Sequence, residues 1–238
     1  MASRYPLGII RIASSADFGK LITALSRDVV DAHVHWKLYC DLDKAIRAKP
    51  IVWTQSRTFW HLTLTAHAEA AVGHLCRAFD QEQSSLHLLS WLKTIQANLH
   101  LFDTSEFKQR LAGNPFVDSL AENPRSPDLA TLEAEIKDCT DTDPHVKKLM
   151  AHRGSAVAHT SAKRAISTKP LSLELALSVD DIEVLLLKAH TVLNKYCQLF
   201  TENTYSVSMI GHDDYKFIFS SVAAAVERAR STTRDPAQ

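Results

Sequence analysis

Apolar residues recur at helical spacing along most of this chain. Leu25, Val29, Ala32, Trp36 and Cys40 repeat every three to four positions and predict a first helix over about 17–47. A second, over about 52–80, is apolar nearly all round, with Glu69 the single formal charge from Thr58 to Cys76. That pattern predicts the central helix of a bundle. Its histidines, threonines and glutamate argue against a membrane span. Leu88, Leu89, Leu92, Ile95 and Leu99 predict a third helix over about 86–101. Asn114-Pro115, Asn123-Pro124 and Ser126-Pro127 then break residues 102–127 into short helical pieces. A further helix follows from Pro127 to about Asp138. Asp143-Pro144 starts the next, with Asp as cap and Pro at the first helical position.

The period changes only once. Leu171, Leu173, Leu175 and Leu177 alternate with small or polar residues as a strand would. No second strand is evident, so this stretch predicts an extended arm packed on the bundle. Ser178-Val-Asp-Asp is capping-box-like and launches a helix to about Asn203, and a last amphipathic helix runs from about Asp213 to Arg230. The fold class is therefore all-α, a single domain over 1–238. It comprises a bundle over 16–160, a linker or arm over 161–178 and C-terminal helices over 179–238.

Composition narrows the function. Lys plus Arg (27) balances Asp plus Glu (27), so no global basic field marks a general nucleic-acid binder and any RNA contact must be local. Cys40, Cys76, Cys139 and Cys197 lack C-x-x-C spacing, which fits reduced, mostly buried thiols. The N-terminus has no long apolar run of a signal peptide, so the expected location is cytoplasmic.

Residues suited to chemistry crowd together at His-Arg-Gly-Ser-Ala-Val-Ala-His, 152–159. At about 100° per residue, Val146, Leu149, Met150 and Val157 share an apolar face, and Arg153 falls inside it. An unpaired buried guanidinium costs several kcal/mol, so Arg153 must meet a carboxylate, an anion or an interface. His159 lies roughly 120° around the helix, on the side of His145, Lys148, His152 and Ser155. One reading is a salt-bridged core arginine beside a surface histidine stripe. The other is phosphodiester chemistry without a metal, in which Arg grips phosphate bidentately and His, with an ordinary pKa of about 6.5, moves protons. The small residues Ala151, Gly154 and Ala158 admit a second helix closely, which predicts a twofold dimer through the motif helix.

Glu69, alone on an apolar helix, is expected to pair with Arg153, and Arg77 with Asp80 at i, i+3. His61, His67 and His74 have no carboxylate at the spacing of a bundle metal site, which favours hydrogen-bonded core histidines, no metal and no cofactor. Lys163 and Arg164 are either RNA-phosphate contacts or solvated loop charges. No phosphate-binding Gly-rich loop or Ser/His/Asp hydrolase signature is present.

Arg153 to His159 also fits the R-x(4-6)-H pattern of the HEPN superfamily, and its company is more specific. Asp28-Val-Val-Asp-Ala-x(3)-Trp-x(2)-Tyr39, Arg77-Ala-Phe-Asp80, Ser85-Leu-His-Leu-Leu and Gly211-His-Asp-Asp-Tyr215 follow in order. In these landmarks the chain resembles the abortive-infection U (AbiU2-like) branch. The resemblance implies a HEPN-like bundle and a dimeric, metal-independent endoribonuclease of a defence or toxin–antitoxin system, with a companion antitoxin as possible partner. His159 would act as general base or acid and Arg153 as phosphate ligand, with His152 or Ser155 supplying a supporting polar group; Glu69 and Asp80 count as supporting residues on the residue pattern alone. Many active members carry a polar residue after the arginine, and this chain has Gly154. The alternative is therefore a silent module binding RNA, a nucleotide or a partner protein in the same cleft.

Overall fold

The computed structural model describes residues 8–153 and 176–234. Helices fill these residues and no strand occurs among them. In chain order they are α1 (Ser15–Ala48), α2 (Pro50–Gln55), α3 (Arg57–Ala78), α4 (Leu88–Ala97), a 3-10 turn (Leu99–Phe102), α5 (Thr104–Arg110) and α6 (Val117–Leu120). After these come α7 (Leu129–Asp138), α8 (Pro144–His152), α9 (Val179–Thr201) and α10 (Tyr215–Arg234). Residues 161–175 of the expected linker or extended arm, 161–178, lie outside the described residues.

Local signals explain most boundaries. Asp143 caps α8 by accepting the N–H groups of His145 (2.9 Å) and Val146 (3.0 Å), with Pro144 opening the helix. Ser178 and Asp181 form a reciprocal capping box at α9. The expected second helix is two helices, because Ser56 leaves helical geometry (φ −148°, ψ 51°) between α2 and α3. Nor is α3 buried all round. Ala71, Val72, Leu75, Cys76 and Ala78 are buried, whereas Phe59 and Leu62 are 59% and 60% exposed. Apolar composition marks what a helix could bury; near its N-terminal end Trp60 alone is buried, and its other buried residues are C-terminal.

Backbone proximity groups the chain into two units, 1–31 with 72–205 and 32–71 with 206–238, so that α1 and α3 each contribute to both. In the first, α4 packs on α7, and α9 packs on α8, α5 and the 3-10 turn. Its centre is aromatic: Phe18 meets Trp91 at 6.0 Å, Phe102 at 5.8 Å and Phe200 at 4.9 Å between ring centroids. Burying side chains of this kind stabilises by about 1.5–3 kcal/mol each. In the second unit, α10 packs on α2, and Leu42, Ile46, Val52, Trp60 and Phe219 form one apolar cluster.

Candidate active site

The first unit holds Arg153 at the C-cap of α8 with helical dihedrals (φ −53°, ψ −52°), its N–H still bonded to Leu149 and Met150 carbonyls. The backbone thus fixes where the guanidinium starts. Its Nη2 donates to Asp80 Oδ2 at 3.0 Å and its Nη1 donates to Asp80 Oδ1, a bidentate pair. Asp80 is 8% exposed and follows the end of α3. Its Oδ1 also accepts the N–H groups of Gln81 (2.7 Å) and Glu82 (3.1 Å), which close the turn toward α4. One carboxylate therefore fastens both a loop and the motif arginine.

The Arg153 side chain stays 36% exposed despite that grip. A guanidinium carries five N–H donors, and the bidentate pair occupies one on each terminal nitrogen. The donors that no described residue takes, Nε–H among them, can face an anion. Cys76 lies in the field of Arg153 and Asp80, and burial pushes its thiol up to about 12, so it is no nucleophile. His87 is also beside them in charge terms, and burial pulls its pKa down. Its Nδ1 accepts the Ser90 N–H at 3.2 Å as N-cap of α4, which leaves Nε2–H to donate to the Glu82 carbonyl at 3.0 Å. His87 is thus a neutral structural histidine.

Two expected pairings are corrected. Glu69 is exposed, so water solvates it and no buried partner is required; the carboxylate of Arg153 is Asp80. Arg77 turns to α1 instead of Asp80, its Nε donating to Asp28 Oδ1 at 2.8 Å, with His74 Nδ1 2.8 Å from the same oxygen. Asp80 lies beyond the last residue of α3, where the i, i+3 geometry of a helix no longer applies. The other α3 histidines are separate: His61 is exposed, and His67 Nδ1 sits 2.9 Å from His35 Nδ1, with burial lowering its pKa. Among the described residues no group of three His, Cys, Asp or Glu is gathered as a metal ion needs. None of their helices is long and apolar enough to cross a membrane.

The side of α8 carrying His145, Lys148 and His152 has a structural duty that periodicity missed. His145 Nδ1 lies 2.7 Å from Asp181 Oδ1, and Lys148 Nζ donates to both Asp181 oxygens at 2.9 and 3.0 Å. Burial alone would raise the Asp181 pKa, but bonds from Ser178, Lys148 and His145 outweigh it and hold the carboxyl far below the usual range. Lys188 also pairs with Asp143, the cap of α8. The doubled acid of the capping box, Asp180-Asp181, was the available signal for this anchor. His152, half-buried, ends α8 beside Arg153. Gly154, Ser155, His159, Lys163 and Arg164 lie outside the described residues, so Arg153, His152 and Asp80 are the predicted site residues that the structure places at this end of α8.

No curated protein and no solved structure matches the chain. A family model does: that of AbiU2, in the HEPN group, matches residues 15–218, which include α8, Asp80 and the four sequence landmarks. The chain belongs to the HEPN AbiU2 family.

Proposed function

We propose that this abortive-infection-related HEPN module is a metal-independent endoribonuclease of a prokaryotic defence or toxin–antitoxin system. The observation that carries the reading is the Asp80–Arg153 pair. A nine-tenths-buried carboxylate orients a guanidinium that keeps about a third of its surface open, six positions before a histidine in the same segment. In this reading His159 takes the proton of a ribose 2′-hydroxyl, whose oxygen attacks the adjacent phosphorus. The 5′-oxygen leaves and takes up a proton, giving a 2′,3′-cyclic phosphate and a 5′-hydroxyl. Arg153 stabilises the charge that gathers on the phosphate oxygens, and Asp80 positions it. Two α8 helices facing each other across a twofold axis would join two such sets in one cleft, with Lys163 and Arg164 on the RNA backbone.

The test is incubation of the purified chain with mixed RNA in EDTA, followed by end-group analysis. Cleavage to 2′,3′-cyclic phosphate ends, lost in His159→Ala while RNA binding persists, is the expected result. Intact RNA under all conditions, with binding that falls equally in Arg153→Ala and His159→Ala, would replace the enzyme with the silent binding module.

A further inference from the structure

The second unit carries a cavity of about 450 Å³ between the C-terminal half of α1 and the start of α10. Lys37, Lys44 and Lys49 come from the α1 side and Lys216 from α10. Against these ammonium groups stands Asp41, which holds Lys37 at 2.9 Å, while Asp213 outside the lining holds Lys216 at 3.0 Å. Lys44 and Lys49 are exposed and have no carboxylate partner among the described residues. In a chain whose charges cancel, this is a local excess of positive charge. The floor is apolar: Tyr215 and Phe219 meet edge to face with centroids 6.0 Å apart. The turn before α10 supplies the remaining wall. Gly211 takes φ +78°, a conformation open to glycine, and His212 follows it into the lining. The Gly211-His-Asp-Asp-Tyr215 landmark, which the nuclease reading leaves unused, therefore builds this wall and floor.

Geometry selects the ligand class. Lys44 and Lys49 are five residues apart along the chain, and Lys216 comes from another helix. One inorganic phosphate cannot span such a set, whereas a chain of phosphates can. The volume falls in the usual range for small-molecule sites, about 300–1,000 Å³. An aromatic floor under a rim of compact cations suits a planar base carrying phosphates. We propose that this cavity binds a nucleoside polyphosphate, with the base against the half-buried Tyr215, which the buried Phe219 backs, and the phosphates under Lys44, Lys49 and Lys216. The same chemistry is offered by a free nucleotide and by the 5′-triphosphate end of an RNA. The proposal does not rest on nuclease activity.

Calorimetric titration of the full chain in EDTA with ATP, adenosine, inorganic triphosphate and a short RNA bearing a 5′-triphosphate or a 5′-hydroxyl tests it. ATP or the triphosphorylated RNA should bind at least tenfold more tightly than adenosine, inorganic triphosphate or the hydroxyl RNA. The tighter of the first two identifies the source. Lys44→Glu/Lys49→Glu should lose at least tenfold in that affinity. Lys137→Glu/Lys147→Glu, an equal charge change elsewhere, should keep it. Tyr215→Leu, which removes the aromatic face but keeps the position apolar, should weaken ATP several-fold and leave inorganic triphosphate unchanged. No binding at millimolar ATP and RNA by a folded protein, binding indifferent to Lys44 and Lys49, or equal affinity for ATP and inorganic triphosphate would each overturn the proposal.

Discussion

The two ends of α8 are held by different kinds of electrostatics. At the N-terminal end, Asp143 accepts two backbone N–H groups and pairs with Lys188, and within the next turn His145 and Lys148 converge on Asp181. The Asp181 side chain is 3% exposed and has every lone pair in use. At the C-terminal end there is one bidentate pair, and its cation is 36% exposed. An over-determined anchor has no capacity left for a ligand. A singly clamped arginine keeps donors that no described residue takes, and Asp80 fixes where they point.

If that contrast is right, the largest stability loss belongs to the anchor. Asp181→Ala removes the reciprocal half of the α9 capping box and leaves Lys148 and His145 without their shared acceptor; the loss is expected at about 2–4 kcal/mol, below the full value for a buried pair because both side chains are partly solvated. Urea unfolding measures it, and a loss under 1 kcal/mol would break the comparison. The same anchor gives a pH signature. The Asp143 and Asp181 carboxyls are held below their ordinary pKa in the fold, so the unfolded chain binds protons more readily. Their stabilisation is complete above about pH 4–5 and drains as pH falls through and below the ordinary carboxylate range. Asp181→Asn should unfold with a visibly flatter acid limb than the wild type.

Asp80→Asn comes next, at about 1–3 kcal/mol, since it leaves a partly exposed arginine and keeps an oxygen for the turn. Its sharper consequence is functional: RNA cleavage should fall while Arg153 is still present, because the guanidinium loses its orientation. Unaltered cleavage by a folded Asp80→Asn protein would remove Asp80 from the positioning role. Glu69→Gln should change stability by less than about 0.5 kcal/mol, as an exposed substitution does. A larger loss in the same unfolding assay would mean that Glu69 has a partner after all.

What was legible in the sequence follows the range of the forces involved. Asp143-Pro144 and Ser178-Val-Asp-Asp announced helix starts because capping is settled within four residues, and the structure has both. Family membership was legible because its landmarks span the chain. The pattern shows that Arg153 needs a partner but not which one. Glu69 stands alone on an apolar helix, and the exposure of that part of α3 is a tertiary fact that periodicity does not contain. The break at Ser56 has no proline or glycine to announce it. Asp181 was read as a cap, and its second duty toward α8 depends on how α8 and α9 pack.

The most direct test of the account is the single-turnover rate of RNA cleavage in EDTA for the wild type, Arg153→Ala, His159→Ala and the anchor variant Lys148→Met, all below their melting temperatures. The account predicts rates at least about 100-fold lower for Arg153→Ala and His159→Ala. It predicts a near wild-type rate for Lys148→Met, whose defect should be in stability. Cleavage by Arg153→Ala at the wild-type rate, or cleavage that EDTA abolishes, would contradict it.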